Sequence, residues 1–212
     1  MKNIADIRKD YTLKTLNEGD VSSNPFEQFM VWMDEVIKSK ALEPTAAVLA
    51  TATFDGKPSA RMILLKGATD KGFIFFTNYE SKKARQILQN PNAAMVFFWP
   101  ELERQVRIEG KIKKIAEKES DKYFDSRPIR SRLGTWASPQ SQVIPSRRYL
   151  EDLVREFEEE FADKEIPRPS NWGGYILEPN LFEFWQGRTS RMHDRLQYTE
   201  ENGKWKLERL AP

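Results

Sequence analysis

The segment Arg191-Met192-His193-Asp194-Arg195 carries the single histidine of the chain. Its pattern predicts a strand, in which alternate residues point the same way at about 6.6 Å intervals, so Arg191, His193 and Arg195 would share one face. Two guanidiniums beside an imidazole discourage its protonation. That makes a neutral base next to fixed positive charge, suited to an anionic, planar ligand. A solvated basic strand with an incidental histidine has the same spacing, and spacing does not choose between the two.

Two further groups have ligand-sized clusters of donors. In Arg61-Met62-Ile63-Leu64-Leu65-Lys66-Gly67 two cations bracket an apolar strand, and Gly67 lets the chain turn where a barrel rim would lie. Downstream, Phe76-Thr77-Asn78-Tyr79-Glu80-Ser81-Lys82-Lys83 runs from a strand end into a helix start. Free N–H groups, hydroxyls, Lys82 and Lys83 would form a phosphate cradle there, although an ordinary cap with surface lysines fits the same residues. The stretch Tyr123 to Arg132 ends a predicted helix. Tyr123, Arg127 and Ser131 offer donors matched to a phosphate monoester; the plainer reading is a solvated helix end whose arginines complement the dipole. Gly134 to Gln142 reads as a polar loop suited to the edge of a heteroaromatic ring, and the aromatics around Trp172 and Phe182 to Trp185 read mostly as core.

Composition narrows the chemistry. With 212 residues, 39% of them hydrophobic, and 12% aromatics, the chain can bury a substantial core. No cysteine is present, which excludes disulfides, thiolate metal sites and a cysteine nucleophile together. One histidine excludes a His-Glu-x-x-His zinc motif, and neither Gly-x-Gly-x-x-Gly after a strand nor a P-loop occurs. Any nucleotide-like ligand must therefore be held by side chains. No apolar run approaches the ~20 residues that span a bilayer, and the start lacks a signal-peptide stretch, so a soluble, cytoplasmic protein without a membrane partner is expected. The formal charge of +2 conceals a division: residues 151–165 hold 8 acids and 2 bases, leaving 32 bases against 24 acids elsewhere. That excess favours anionic partners, small phosphorylated molecules or nucleic acid alike.

Elements able to position these groups can be read from periodicity. Residues 1 to 22 read as an arm, with a short helical possibility from Ile4 to Tyr11, and 23–212 as a single domain. Asn24-Pro25-Phe26-Glu27 opens a helix, with Glu27 able to close a capping box and Phe26, Phe29, Met30, Met33 and Ile37 as its apolar stripe. Strands are expected over 46–54, 58–66, 72–78, 93–99, 104–115, 174–178, 181–186, 192–199 and 204–209, with Asp55-Gly56 as a hairpin turn. Helices are expected over 81–89, 117–126 and 146–162. The fold class is mainly β with flanking helices (α+β): an antiparallel sheet closed into a barrel with helices outside.

These blocks, in this order and over nearly the whole chain, resemble the FMN-binding split-barrel family of pyridoxine (pyridoxamine) 5′-phosphate oxidases. The pieces that carry the likeness are Arg61 to Lys66, Arg104-Gln105-Val106, Trp136 to Ser141, Trp172 to Tyr175, Phe184 to Gly187 and Arg191 to Leu196. The resemblance implies a homodimer with FMN at the interface and no metal. By position, Arg61, Met62, Ile63, Leu64, Leu65, Lys66, Phe76, Thr77, Lys82, Lys83, Gln105, Gln140, Ser141, Trp185 and Arg195 would bind FMN. Lys66, Tyr123, Arg127 and Ser131 would hold the substrate phosphate, Arg191 and His193 would act at the reacting group, and Arg8, Lys9, Asp10 and Tyr11 would close over it. The implied reaction oxidises pyridoxine 5′-phosphate or pyridoxamine 5′-phosphate at C4′ to the aldehyde, with O2 reduced to hydrogen peroxide. Two positions depart from the family's common pattern: Phe76 stands where Tyr is frequent, and Lys82 where Arg is. A split-barrel flavin reductase, a non-catalytic carrier and a barrel binding single-stranded nucleic acid are the rival readings.

Overall fold

The computed structural model of the protein describes residues 3–7 and 10–212. Nine strands form one antiparallel sheet: β1 (Ala46–Ala52), β2 (Pro58–Leu64), β3 (Gly67–Thr69), β4 (Gly72–Asn78), β5 (Asn92–Trp99), β6 (Arg104–Lys114), β7 (Trp172–Gln186), β8 (Asp194–Glu201) and β9 (Lys204–Arg209). The order is β2-β1-β5-β6-β7-β4-β3, with β8 added on β7 and β9 on β8. The sheet curls until its two ends meet in the chain itself. Only Leu65 and Lys66 separate β2 from β3; the Leu65 amide donates to the Thr45 carbonyl (2.9 Å) and the Lys66 amide to that of Ile74 (2.8 Å).

Strand β7 makes this topology possible. Its first half pairs with β4, its second half with β8, and both halves pair with β6. A register shift at Glu109/Gly110, opposite Pro179, bends the strand between them. The two short strands expected over 174–178 and 181–186 are thus one continuous strand, and β3 is a short strand that periodicity does not reveal.

Inward residues of the strands, among them Leu49, Phe73, Phe75, Phe97, Val106, Ile108, Phe182 and Phe184, are fully buried. Helix α1 (Pro25–Lys38) lies across them, with the Phe29 ring 4.8 Å from Phe73 and 5.1 Å from Phe97. Its buried stripe is Phe29, Trp32, Met33 and Val36. Met30 and Ile37, expected inside, are about half exposed, because Trp32 turns inward against Phe184 and carries the larger apolar area. The capping box does not form either: Asn24 caps by accepting from the Phe26 amide, while Glu27 accepts from the Ser22 hydroxyl.

Outside the barrel, α2 (Lys82–Gln89) follows β4, and α3 (Glu117–Asp125), α4 (Ile129–Ala137) and α5 (Arg147–Glu160) form a satellite layer. Phe124, Leu133, Ile166 and Trp172 form its core, with Trp136, Phe157 and Phe161 against them. Helix α4 corrects the reading of a polar loop from Gly134: the chain stays helical to Ala137, with Leu133 and Ala137 buried, and the loop begins at Ser138. Among the described residues no helix is long and apolar enough to cross a membrane.

Candidate active site

On the rim formed by β2, β4 and α3 lies a hollow of about 390 Å³ lined by Arg61, Met62, Ile63, Leu64, Lys66, Phe76, Thr77, Lys83, Tyr123, Arg127, Gln140 and Trp172. Residues from three sequence clusters converge here. Arg61 stands half-buried on the less exposed face of β2, in register with buried Leu49, and its guanidinium donates to the Leu49 carbonyl (2.9 Å) and the Thr51 hydroxyl (2.7 Å). The Lys83 ammonium, from the first turn of α2, donates to Thr77 Oγ1 (3.0 Å) and Gln140 Oε1 (3.2 Å). All of these acceptors are neutral. Among the described residues, none of Arg61, Lys66, Lys83 and Arg127 pairs with a carboxylate. Lys66 is exposed, but Arg61, Lys83 and Arg127 are half-buried; partly buried cations without counter-ions are costly, and burial together with the adjacent Arg61 charge pushes the Lys83 ammonium down to about 8. An anion placed in the hollow would relieve that cost.

One wall is aromatic. Phe76 stacks on Tyr123 (3.9 Å between centroids) and on Trp172 (5.4 Å), and the Arg127 guanidinium sits 4.7 Å above the Trp172 ring while donating to the Thr135 hydroxyl. Gly174, in register with Phe76, leaves the room: a Cβ there would come within 2.3 Å of the Ile115 tip and 2.9 Å of the Phe76 ring. Burial raises the Tyr123 phenol above its ordinary value, against the pull of Arg127, so it stays a neutral donor.

A second hollow, of about 620 Å³, is lined by Ile7, Asp10, Tyr11, Arg188, Ser190, Arg191 and His193. It shares no residue with the first. The Tyr11 ring packs edge-on against Trp185 (5.7 Å) and His193 (6.0 Å), over Gly187, where a Cβ would lie 2.6 Å from the Tyr11 ring. The arm that carries Tyr11 is fastened by its backbone: the Thr12 and Leu13 amides donate to Glu103 Oε2, and the Leu16 amide to Asp194 Oδ2. Burial, and then the Arg191 charge, lower the His193 pKa.

Several expectations change here. Arg191, His193 and Arg195 do not share a strand face: β8 begins at Asp194, and Arg191 closes a 3-10 turn, Thr189–Arg191, with Ser190 and Arg191 in the left-handed region (φ 55° and 60°). Arg191 and His193 still line one hollow, whereas Arg195 stands in register with Trp185 and is ion-paired to buried Glu183 (2.8 Å). Gln105, Trp185 and Arg195 sit side by side across β6, β7 and β8, away from the first hollow. Leu65 is a core residue, 6% exposed. Lys82 and Ser141 are exposed and Ser131 half-buried; none of the three is in the lining of the first hollow. Ser81 caps α2 by accepting from Ala84, so its hydroxyl is not free for a phosphate. Arg8 and Lys9 lie outside the described residues. Trp172 and Arg188 were missed as site residues: Trp172 reads as core, and an arginine after Gly187 has no distinguishing pattern.

A curled antiparallel barrel with an uncompensated cationic hollow on its rim defines a protein built to hold anionic ligands. Residues 33–160 match the pyridoxamine 5′-phosphate oxidase family, and residues 172–212 match the pyridoxine 5′-phosphate oxidase C-terminal dimerisation region. Pyridoxine/pyridoxamine 5′-phosphate oxidases from Nostoc punctiforme and Trichormus variabilis are 55% and 53% identical over 100% of this chain and 99% of theirs. The crystal structure of PhzG from Burkholderia lata, in complex with tetrahydrophenazine-1-carboxylic acid, superposes with a TM-score of 0.89 at 32% identity, covering 94% of this chain and 99% of that one. A pyridoxamine 5′-phosphate oxidase-related, FMN-binding protein from Nostoc punctiforme shares the fold at 20% identity, with a TM-score of 0.71 over 91% and 100% of the two chains. The chain belongs to the pyridoxamine 5′-phosphate oxidase family.

Proposed function

We propose that the protein is an FMN-dependent oxidase that converts pyridoxine 5′-phosphate and pyridoxamine 5′-phosphate to pyridoxal 5′-phosphate, completing this cofactor's synthesis and salvage. The observation that carries the reading is the convergence of Arg61, Lys66, Lys83 and Arg127 on one hollow that offers them no carboxylate. Two phosphate esters, one on the cofactor and one on the substrate, match that demand. Lys83, Thr77, Arg61 and Gln140 fit an FMN held against β2 and β4, and Lys66, Tyr123 and Arg127 fit a second phosphate on the α3 side. FMN, when bound, would supply the acceptor for the hydride that leaves C4′ while the hydroxyl or amine gives up a proton, with O2 taking the two electrons and two protons as hydrogen peroxide; from the amine, water would then release ammonia from the imine to give the same aldehyde.

The chain's own residues bind and orient. Charge-assisted bonds from Lys66 and Arg127 fix the phosphate end, which sets the position of C4′. Arg191 supplies positive charge beside the ring, and His193 contributes a hydrogen bond at the reacting end. Tyr11, on the clamped arm, excludes water from that side. In a single chain the two hollows stay separate, and Arg188, Ser190, Arg191 and His193 of the second lie in the segment whose family description is a dimerisation region. This supports a homodimer in which the first hollow of one subunit meets the second hollow of its partner.

The test is to purify the protein, record a flavin spectrum and add pyridoxine 5′-phosphate without oxygen. Bleaching, reversed by O2 with formation of pyridoxal 5′-phosphate and peroxide, is the expected result. A yellow protein that stays yellow with both phosphorylated vitamers, yet bleaches with a reduced phenazine carboxylate, would move the substrate assignment to that of PhzG; a colourless protein would remove the flavin altogether.

A further inference from the structure

His193 is held by a neighbour that no part of the proposed reaction uses. The main-chain N–H of Arg188 donates to His193 Nδ1 at 3.1 Å, while the Arg188 guanidinium pairs with the Asp194 carboxylate at 3.0 Å. Asp194 is held in turn by Arg209 (2.8 Å) and the Leu16 amide (3.1 Å). Between Arg188 and Asp194 runs the turn with two non-glycine residues at positive φ, Ser190 and Arg191, an unfavourable conformation that persists only where its surroundings impose it. The ion pair ties the two ends of that turn together.

We propose that Arg188 is a positioning residue that fixes His193 in the tautomer with its proton on Nε2. An Nδ1 that accepts the Arg188 N–H has no lone pair left for a proton. The nitrogen still available to a ligand is therefore Nε2, and it donates. His193 thus presents a hydrogen-bond donor to the bound molecule and not the neutral base that its position between arginines suggests. Protonating Nδ1 would break the Arg188 bond, an effect that adds to burial and the Arg191 charge in holding the imidazole neutral. Among the described residues, the ionisable groups around the imidazole are Asp10 and Tyr11 of the arm, Arg188 and Arg191 of the turn, and Asp194 and Arg209 behind it.

The consequence for catalysis rests on the proposed function, but the tautomer does not, and a single histidine makes it directly readable. With 15N-histidine incorporated into the whole protein, every imidazole nitrogen signal belongs to His193. The expected spectrum at neutral pH shows a protonated Nε2 and a hydrogen-bonded, unprotonated Nδ1, unchanged in R188K. In R188A the turn loses its tie, the two tautomers mix, and kcat/KM with pyridoxine 5′-phosphate falls about tenfold, the scale on which outer partners of functional histidines act. Its low-pH limb also moves upward, while KM for flavin stays the same. A wild-type spectrum with Nδ1 protonated, or an even mixture, overturns the inference whatever the activity. The same spectrum in wild type and R188A overturns the role of the ion pair. The expected spectrum in a protein that oxidises neither vitamer would sink the proposed function and leave this inference standing.

Discussion

In the first hollow the cations stand on β2 (Arg61), in the link to β3 (Lys66), in the first turn of α2 (Lys83) and in the link from α3 to α4 (Arg127), and the hydrogen-bond partners of Arg61, Lys83 and Arg127 are neutral acceptors. In the second, Arg188 is paired with Asp194, and the backbone bearing Arg191 and His193 is a left-handed turn under a clamped arm. The first stores electrostatic cost, which a ligand's charge offsets; the second stores conformational cost, which its own ion pairs offset. Anchoring therefore belongs to the first region and alignment to the second, and substitutions in the two should fail differently.

The largest contrast lies in the two glycines. Gly174→Ala forces a Cβ against Ile115 and the Phe76 ring, which is packed against both Tyr123 and Trp172. It should cost about 1–3 kcal/mol of stability, seen as a Tm lower by several degrees with loss of bound flavin. At Gly187→Ala the atoms nearest the added Cβ all belong to Tyr11 of the arm. Its Tm should stay within a degree or two while KM for the vitamer phosphate rises. Equal thermal shifts would erase the distinction between a wall built on the barrel and one built on the arm.

Next in size is Arg127→Ala. Removing a charged hydrogen bond worth roughly 1.5–3 kcal/mol should raise KM for pyridoxine 5′-phosphate roughly ten- to a hundredfold. Stability should be unchanged or higher, because an unpaired, half-buried cation is gone. Steady-state kinetics beside a melting curve check both halves.

Lys83 gives a pH signature of intermediate size. Its folded pKa of about 8 lies below the ordinary lysine value of 10.5, so the flavin-free protein bears the full cost of that charge below pH 8. As pH rises from about 8 towards 10.5, the unfolded chain keeps the proton and the folded one loses it, and stability should rise. Flavin affinity should run the other way, flat below pH 8 and falling by up to about tenfold per unit above it as Lys83 must be reprotonated. Fluorescence titration at several pH values, with Lys83→Gln flattening the curve, is the check.

Lys82→Arg should have the smallest effect. The side chain is exposed and outside the lining of the first hollow, so flavin retention on dilution should change by less than about threefold. A large gain would bring Lys82 into the phosphate site and redraw that hollow.

The same contrast explains what could be read in the chain. Period-two alternation and Asp55-Gly56 locate β1, β2 and their hairpin, because a strand half-buried in a barrel imprints its faces on local sequence. The part of the first hollow that β2 and β4 supply, Arg61 to Leu64 with Phe76 and Thr77, is legible for that reason, whereas Trp172 reads only as core. The turn at 189–193 was not: Arg191 to Arg195 alternates like a strand, and only the tertiary pairing of Arg188 with Asp194, and of Asp194 with Arg209 and the arm, holds the backbone off the strand until Asp194. Helix α4 escaped because Gly134 and the polar residues after it mimic a loop, while the burial of Leu133 and Ala137 depends on α5 and Trp172, more than ten residues away. Trp32 displaced Met30 from the buried stripe of α1 because the space opposite Phe184 takes the larger ring.

The central claim is that a working site joins the first hollow of one subunit to the second hollow of its partner. Arg127→Ala and Arg191→Met proteins, each assayed at a pyridoxine 5′-phosphate concentration well below the raised KM so that neither turns over appreciably alone, can be unfolded together and refolded as a mixture. If the claim holds, mixed dimers contain one intact site, and a random mixture recovers about a quarter of wild-type turnover with pyridoxine 5′-phosphate. A mixture that forms mixed dimers and stays as inactive as its parents would contradict it.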